Sequence, residues 1–240
     1  MLKLPTLRAH MTYHAHLFKA LTRQHHTDLL PFLGQYVPQD GVVIDVGAHA
    51  GQFTKLFSKM VPQGHVYAFE PGSYALSILR KVVRLHGLKN VTLTPAGLSD
   101  AESTAVLQVP IKKSGSLGFG LSSLGKIESG ATHDDTVTLT TLDAFAAAHA
   151  IARMDLIKSD IEGWELHMLR GARQSIARFR PVLMLEACDA RLRRAGDSFD
   201  ALIEFLTDMH YDCFAQDKQG NLSALPDNKD CDLVAIPRRH

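Results

Sequence analysis

From Val42 onward the chain alternates short runs of β-branched and apolar residues with longer stretches whose apolar positions recur at helical spacing, and no other feature restricts its fold as much. Parallel strands need a crossover to return in the same direction, and strands that are apolar on both faces need helices on both sides, so the alternation predicts an α/β domain with a parallel sheet. The expected parallel strands are Val42 to Val46, His65 to Phe69, Val91 to Thr94, Leu156 to Ser159 and Val182 to Leu185, with a last pair near Tyr211 to Ala215 and Leu233 to Ile236. Trp164, Met168, Leu169, Ala172, Ile176 and Phe179 form one helical stripe, and Phe199, Leu202, Ile203, Leu206 and Met209 form another. Leu29, Phe32, Leu33, Tyr36 and Val37 share one face at helical spacing and predict an amphipathic helix ending near Pro38.

The alternation is interrupted between Thr104 and Thr141. There TAVLQVP and TVTLTTL read as two extra extended segments flanking a glycine- and serine-rich loop, KKSGSLGFGLSSLGKIESG. The expected organisation is therefore an N-terminal helical extension over 1–40 packed on a single domain over 41–240, with an inserted segment at about 104–141 on the substrate side.

With 21% charged residues and a formal net charge of +1, the chain has no electrostatic footprint for nucleic acid, which argues against such a partner. Its three cysteines, Cys188, Cys213 and Cys231, are widely spaced, so neither a disulfide framework nor a zinc site is expected. No run approaches the roughly 20 apolar residues that span a bilayer. The expectation is a soluble, cytoplasmic protein without a membrane span.

In an open α/β sheet, ligands bind just beyond the carboxyl ends of the strands, and four such ends carry signals. After the first strand, Asp45-Val46-Gly47-Ala48-His49-Ala50-Gly51 has two glycines that let the backbone turn tightly against a ligand. The acid before Gly47 suits a cofactor without phosphates and would repel a pyrophosphate. Glu70 ends the second strand at an offset close to the roughly 20 residues at which a carboxylate accepts ribose hydroxyls, although it can equally cap the next helix. Pro95 to Asp100 follows the third strand, where Ser99 or Asp100 can bond an adenine amine.

The fourth end is Lys158-Ser159-Asp160-Ile161-Glu162-Gly163-Trp164. Period-two geometry puts Lys158 and Asp160 on one face. A lysine within an apolar run requires a carboxylate partner, with Asp160, Asp45 and Glu186 the candidates. Asp160, Glu162, Glu186 and Asp189 can together offer oxygen ligands to a divalent metal, which these residues allow but do not require. The histidines show no paired metal spacing; His133, beside Asp134 and Asp135, is a remote candidate base.

Taken together, VVIDVGAHAGQF, YAFEP, GLSD and DLIKSDIEGWELHMLRGA followed by RPVLMLE resemble the FkbM family of methyltransferases, from about Val42 to Glu186. The resemblance implies a Rossmann-like, seven-stranded, mostly parallel sheet with an antiparallel last strand and helices on both faces. It also implies S-adenosylmethionine as donor and methyl transfer to oxygen, usually a hydroxyl of a sugar or secondary metabolite. Carried over residue by residue, the cofactor set is Asp45, Gly47, Ala48, His49, Gly51, Phe53, Glu70, Pro71, Leu98, Ser99 and Asp160, with Lys158, Asp160 and Glu162 at the reacting end. His49 departs from the family's frequent asparagine but can still donate a hydrogen bond.

Methyl transfer to a hydroxyl needs alignment and a proton acceptor, for which Asp160 is the first choice, with Glu162 or a metal-bound alkoxide as alternatives. The loop around Gly115 to Gly130, with Leu117, Phe119 and Leu121, is expected to close over the acceptor. The expected partner is a small-molecule hydroxyl acceptor, and the N-terminal helix allows a homodimer. Two rivals use the same signals: a nicotinamide-dependent oxidoreductase and a catalytically silent interaction module on the same fold.

Overall fold

A computed structural model describes residues 7–110 and 132–238 of the chain. Helix α1 (Leu7–Thr22), a 3-10 turn (Thr27–Leu29) and the single-turn α2 (Leu30–Leu33) precede β1 (Val42–Val46). There follow α3 (Gln52–Met60), β2 (His65–Phe69), α4 (Ser73–Leu85), β3 (Val91–Thr94), β4 (Gly97–Leu98), β5 (Ser103–Pro110) and β6 (Thr132–Thr140). The second half runs α5 (Leu142–Ala148), β7 (Leu156–Ser159), α6 (Glu165–Arg170), α7 (Arg173–Phe179), β8 (Val182–Cys188), α8 (Asp189–Arg194), α9 (Phe199–Asp208), β9 (Tyr211–Gln216), β10 (Leu222–Ser223) and β11 (Asp230–Pro237).

The main sheet has the order β10-β9-β11-β8-β7-β1-β2-β3. Strands β3, β2, β1, β7 and β8 are parallel, whereas β11 runs antiparallel between β8 and β9. This is the Rossmann-like sheet of seven strands with the last antiparallel, and the two-residue β10 adds an eighth at the edge. Because the chain leaves β1 on one side to form β2 and β3 and returns on the other as β7, the carboxyl ends of β1 and β7 open a crevice.

Alternation along the strands divides the core. Ile44, Val46, Phe69, Ile157, Leu183 and Leu185 point into the cluster formed with α5, α6, α7 and α9. Val43, Val66, Leu156, Val182, Met184 and Val234 point the other way, against Leu29, Phe32, Leu33, Leu56 and Phe57. Each such side chain removed from water contributes about 1.5–3 kcal/mol. The polar residues of the strands fall on the second face, which is why Asp45 and Lys158 meet there.

Three expectations need correction. The stripe from Leu29 to Val37 marks the right face but not a continuous helix: Pro31 and Gly34 reduce it to the 3-10 turn, α2 and a following turn. The stripe from Trp164 to Phe179 is two helices, because Asp143 of α5 caps α7, accepting from the N–H groups of Gln174 (2.9 Å) and Ser175 (2.7 Å). Finally, β8 continues past Leu185 to Cys188, so Glu186 lies within a strand and not after it.

The two extra segments are β5 and β6, paired antiparallel from Ser103–Leu139 to Pro110–Thr132, with β4 on the other side of β6. The glycine- and serine-rich loop between them, with Leu117, Phe119 and Leu121, lies outside the described residues.

Candidate functional site

Asp45 on β1 and Lys158 on β7 are register partners in neighbouring strands. Asp45 is fully buried; its Oδ2 accepts the Thr54 hydroxyl at 2.6 Å, and its Oδ1 lies 3.9 Å from the Lys158 ammonium. Burial pushes the Asp45 carboxyl up, opposed by Lys158 and by the Thr54 hydrogen bond. Lys158 also stands 3.6 Å from Asp160 Oδ2 and 4.9 Å from the centroid of the Phe53 ring. Its carboxylate partners are therefore Asp45 and Asp160; Glu186 is held elsewhere.

Beyond β1 the chain turns at Gly47, whose φ of +73° is the left-handed region that glycine tolerates. A Cβ there would lie 2.1 Å from the carbonyl oxygen of Asp160, so β1 and β7 approach at a distance only glycine permits. His49 also has positive φ, +49°, a conformation in which asparagine and histidine are enriched among non-glycine residues. Its N–H donates to Glu70 Oε2 at 2.7 Å, while the Gly72 N–H donates to Oε1 at 2.8 Å. Burial raises the Glu70 carboxyl to about 7, against those two amides, which favour the charged form. Glu70 thus caps the start of α4, as the structural alternative anticipated, and also faces the ligand crevice.

Gly47, Ala48, His49, Phe53, Glu70, Pro71, Leu98, Lys158, Asp160 and Glu162 all line one cleft of about 520 Å³. Asp45, Gly51 and Ser99 do not line it. Asp45 acts from beneath through Lys158 and Thr54, and Gly51 begins α3. Ser99 is turned away: its hydroxyl accepts from the Trp164 indole N–H at 3.0 Å and donates to Asp100 at 3.1 Å. Asp100 in turn is bound to His167 at 3.1 Å.

Sequence reasoning left out His26, Tyr74, Leu107, Val109 and Asp135, which also line the cleft, and placed His133 only remotely. The alternation of β6 carries a signal for two of them, since His133 and Asp135 share a face with the buried Val137 and Leu139.

Oxygen atoms of Asp160, Glu162 and Glu186 lie within 4.8 Å of one another, the spacing of a metal-ligand set. Arg191 already sits among them, 3.2 Å from Glu162 Oε2 and in contact with Glu186 Oε2. A guanidinium in that position supplies the charge that a cation would. Asp189 is apart, accepting from the Phe199 N–H and pairing with Arg193. Burial would raise Asp160, but Lys158 and hydrogen bonds with Glu186 and Lys158 hold it below the ordinary carboxylate range. Glu186 is pushed up to about 7, first by burial and then by the Asp160 charge.

A glycine turn at a topological switch point, a buried carboxylate at the end of β2 and a cleft within the usual range of about 300–1,000 Å³ fit a nucleoside-bearing cofactor. Fold and site together define a Rossmann-like α/β domain with a cofactor-sized cleft at its switch point. The family model of the methyltransferase FkbM domain matches residues 45–213, and the chain belongs to that family.

The chain is 25% identical over 177 residues to "Methyltransferase 1" of Beauveria bassiana, covering 68% of this chain and 69% of that protein. The crystal structure of methyltransferase FkbM from Methylobacillus flagellatus superposes with a TM-score of 0.57 at 19% identity, over 89% of this chain and 48% of that one. The chain thus spans about half the length of that solved relative. A proposed methyltransferase of Streptococcus mutans, solved in complex with SAH, gives a TM-score of 0.51 at 14% identity, over 86% and 93% of the two chains. No helix among the described residues is long and apolar enough to cross a membrane.

Proposed function

We propose that the chain is an S-adenosylmethionine-dependent methyltransferase that methylates a hydroxyl oxygen on a small molecule. The observation that carries this reading is one cleft with Glu70 at one end, the Lys158–Asp160 pair at the other and the Gly47 turn between them. The bound cofactor supplies a methyl group already activated on a sulfonium.

Glu70 accepts the ribose hydroxyls, Pro71 and Leu98 flank the base, and Ala48 and His49 hold the methionine end. Phe53, with Lys158 over its ring, screens the reacting end from water. Asp160 accepts the hydrogen of the acceptor hydroxyl. A carboxylate held below its usual range is a weak base, so its contribution is to align the oxygen and take the proton late, as the new bond forms. Lys158 fixes the orientation of Asp160, and Glu162, engaged with Arg191, shapes the wall. His133 and Asp135 of β6 close the cleft at the Glu70 end, where Asp135 accepts the Ser73 N–H at 2.8 Å. A net charge of +1 gives no electrostatic footprint for nucleic acid and favours a small acceptor.

Titration calorimetry with S-adenosylhomocysteine and with NAD tests the cofactor: binding of NAD alone would overturn the reading. Replacing Asp160 by Asn should leave S-adenosylhomocysteine affinity within about threefold and lower methyl transfer by about 100-fold or more, the scale of a lost proton acceptor. Undiminished transfer would remove Asp160 from that role.

A further inference from the structure

A second cavity, of about 510 Å³, opens on the other side of Lys158 and Asp160, which line both spaces. Its floor follows from strand register. Asp232 of β11 is paired with Glu186 of β8 on one side and with Gln216 of β9 on the other, and directly opposed residues of antiparallel strands share a face. One polar row therefore crosses three strands at the same end of the sheet as the cofactor cleft. It lies on the face of Met184 and Val234, which are part of the core beneath the N-terminal segment.

The row is not satisfied internally. Gln216 is only 8% exposed, and its Nε2 is buried without a hydrogen-bond partner. The Asp232 carboxylate makes no hydrogen bond or ion pair among the described residues, whereas that of Glu186 is held by Arg191. A hydroxyl oxygen accepts from the buried amide donor and an ammonium or hydroxyl donates to the carboxylate beside it, and leaving the donor empty is costly. Five carboxylates, Asp232 among them, face the cavity against the ammonium groups of Lys158 and Lys218. His26, stacked on Phe53 with ring centroids 4.2 Å apart, forms a flat wall between the two spaces.

We propose that this second cavity is the acceptor site, and that it takes a polyhydroxylated, amine-bearing small molecule of amino-sugar type. The Gln216 amide and the Asp232 carboxylate hold its hydroxyl and ammonium groups, and the reacting hydroxyl is presented to Asp160. This assignment rests on the methyltransferase reading and adds the acceptor's class to it. A carboxylate-bearing sugar is repelled by the same wall.

Ligand-observed NMR on the full chain saturated with S-adenosylhomocysteine tests it, with glucosamine, galactosamine and mannosamine as probes beside the matching neutral sugars and uronic acids. At least one amino sugar should bind about tenfold or more tightly than its uronic acid, and Asp232→Asn and Gln216→Leu should each weaken it by about tenfold, the scale of one lost charge-assisted or buried hydrogen bond. S-adenosylhomocysteine affinity, unchanged in both variants, reports that they fold. If the cofactor product binds but no amino sugar does, if uronic acids bind equally well, or if the variants bind like the parent, the acceptor assignment is wrong and the cofactor reading stands. If the cofactor product does not bind, the methyltransferase reading fails and the acceptor assignment falls with it.

Discussion

Replacing Gly47 by Ala should be one of the most damaging single-methyl additions in the chain, and Gly87 supplies its control. Gly87 also has positive φ, +63°, but a Cβ there meets nothing within 4 Å. Alanine at Gly87 therefore feels only the left-handed penalty of about 1–2 kcal/mol, less about 0.4–1 kcal/mol regained because the unfolded chain is more restricted. The net loss is about 1 kcal/mol or less. At Gly47 the new carbon lies 2.1 Å from the Asp160 carbonyl oxygen. Ordinary contact begins near 3.4 Å, so the two strand ends must separate by 3.4 − 2.1 = 1.3 Å.

That movement strains the bond from the Asp160 N–H to the Val46 carbonyl, 3.2 Å long. Overpacking of this kind costs about 1–3 kcal/mol and a weakened hydrogen bond about 1 more; with the left-handed term of about 1 kcal/mol the total loss is about 3–5 kcal/mol. For a chain of this size the melting temperature should fall by roughly 10 °C. Urea unfolding of the two variants against the parent, compared at equal m, measures the difference. If Gly47→Ala is no less stable than Gly87→Ala, the close approach of β1 and β7 does not constrain this position and the reasoning fails.

Removing Lys158 as Met leaves the fully buried Asp45 without its cation and should cost about 3 kcal/mol at neutral pH. Burial raises the Asp45 carboxyl, so the loss should shrink as pH falls and the group takes up its proton, and grow as pH rises; the added Asp45→Asn change should restore much of the stability in denaturant titrations. Glu70, raised to about 7 from an ordinary 4.5, contributes stability that is full below about 4.5 and lost as pH rises through about 7. Its charged form is the better acceptor for ribose hydroxyls, so S-adenosylhomocysteine affinity should climb between about pH 6 and pH 8 in calorimetry; Glu70→Gln should bind more weakly and without that slope. Ser99→Ala should lower stability by about 1–2 kcal/mol and leave cofactor affinity unchanged, because its hydroxyl serves Trp164 and Asp100 and not the cleft. A clear loss of affinity by calorimetry would return Ser99 to the binding set.

Strands β1, β2, β3 and β7 coincide with the apolar runs that predict them, because each is a β-branched segment closed by glycine, proline or charge. Helix boundaries were less legible. Gly171, the C-cap of α6, is the local sign of the break, whereas the cap on α7 arrives from Asp143, about 30 residues earlier. Helix α1 carries a stripe, Tyr13, Leu17, Ala20 and Leu21, at helical spacing, but its docking against Ile78 and Val82 of α4 is a long-range matter. The same distinction governs the site. Gly47, Glu70, Lys158 and Asp160 were legible because each sits at a strand end whose direction the alternation sets. Ser99 also follows a strand, yet whether its hydroxyl points to the cleft or to Trp164 depends on how α6 packs. The row of Glu186, Asp232 and Gln216 needed the antiparallel register of β11, which no local spacing encodes.

Lys55 is buried within α3, and its ammonium donates to the carbonyls of Ala20 at 2.6 Å and Arg23 at 2.7 Å, where α1 ends. Those carbonyls are the ones a helix terminus leaves over, and the lysine has no water with which to replace them. The Gly47 turn leads directly into α3, so the end of α1 supplies the carbonyl dipoles that hold the buried cation of the next helix along. A chain shortened to begin at the sheet would carry a stranded cation in that helix.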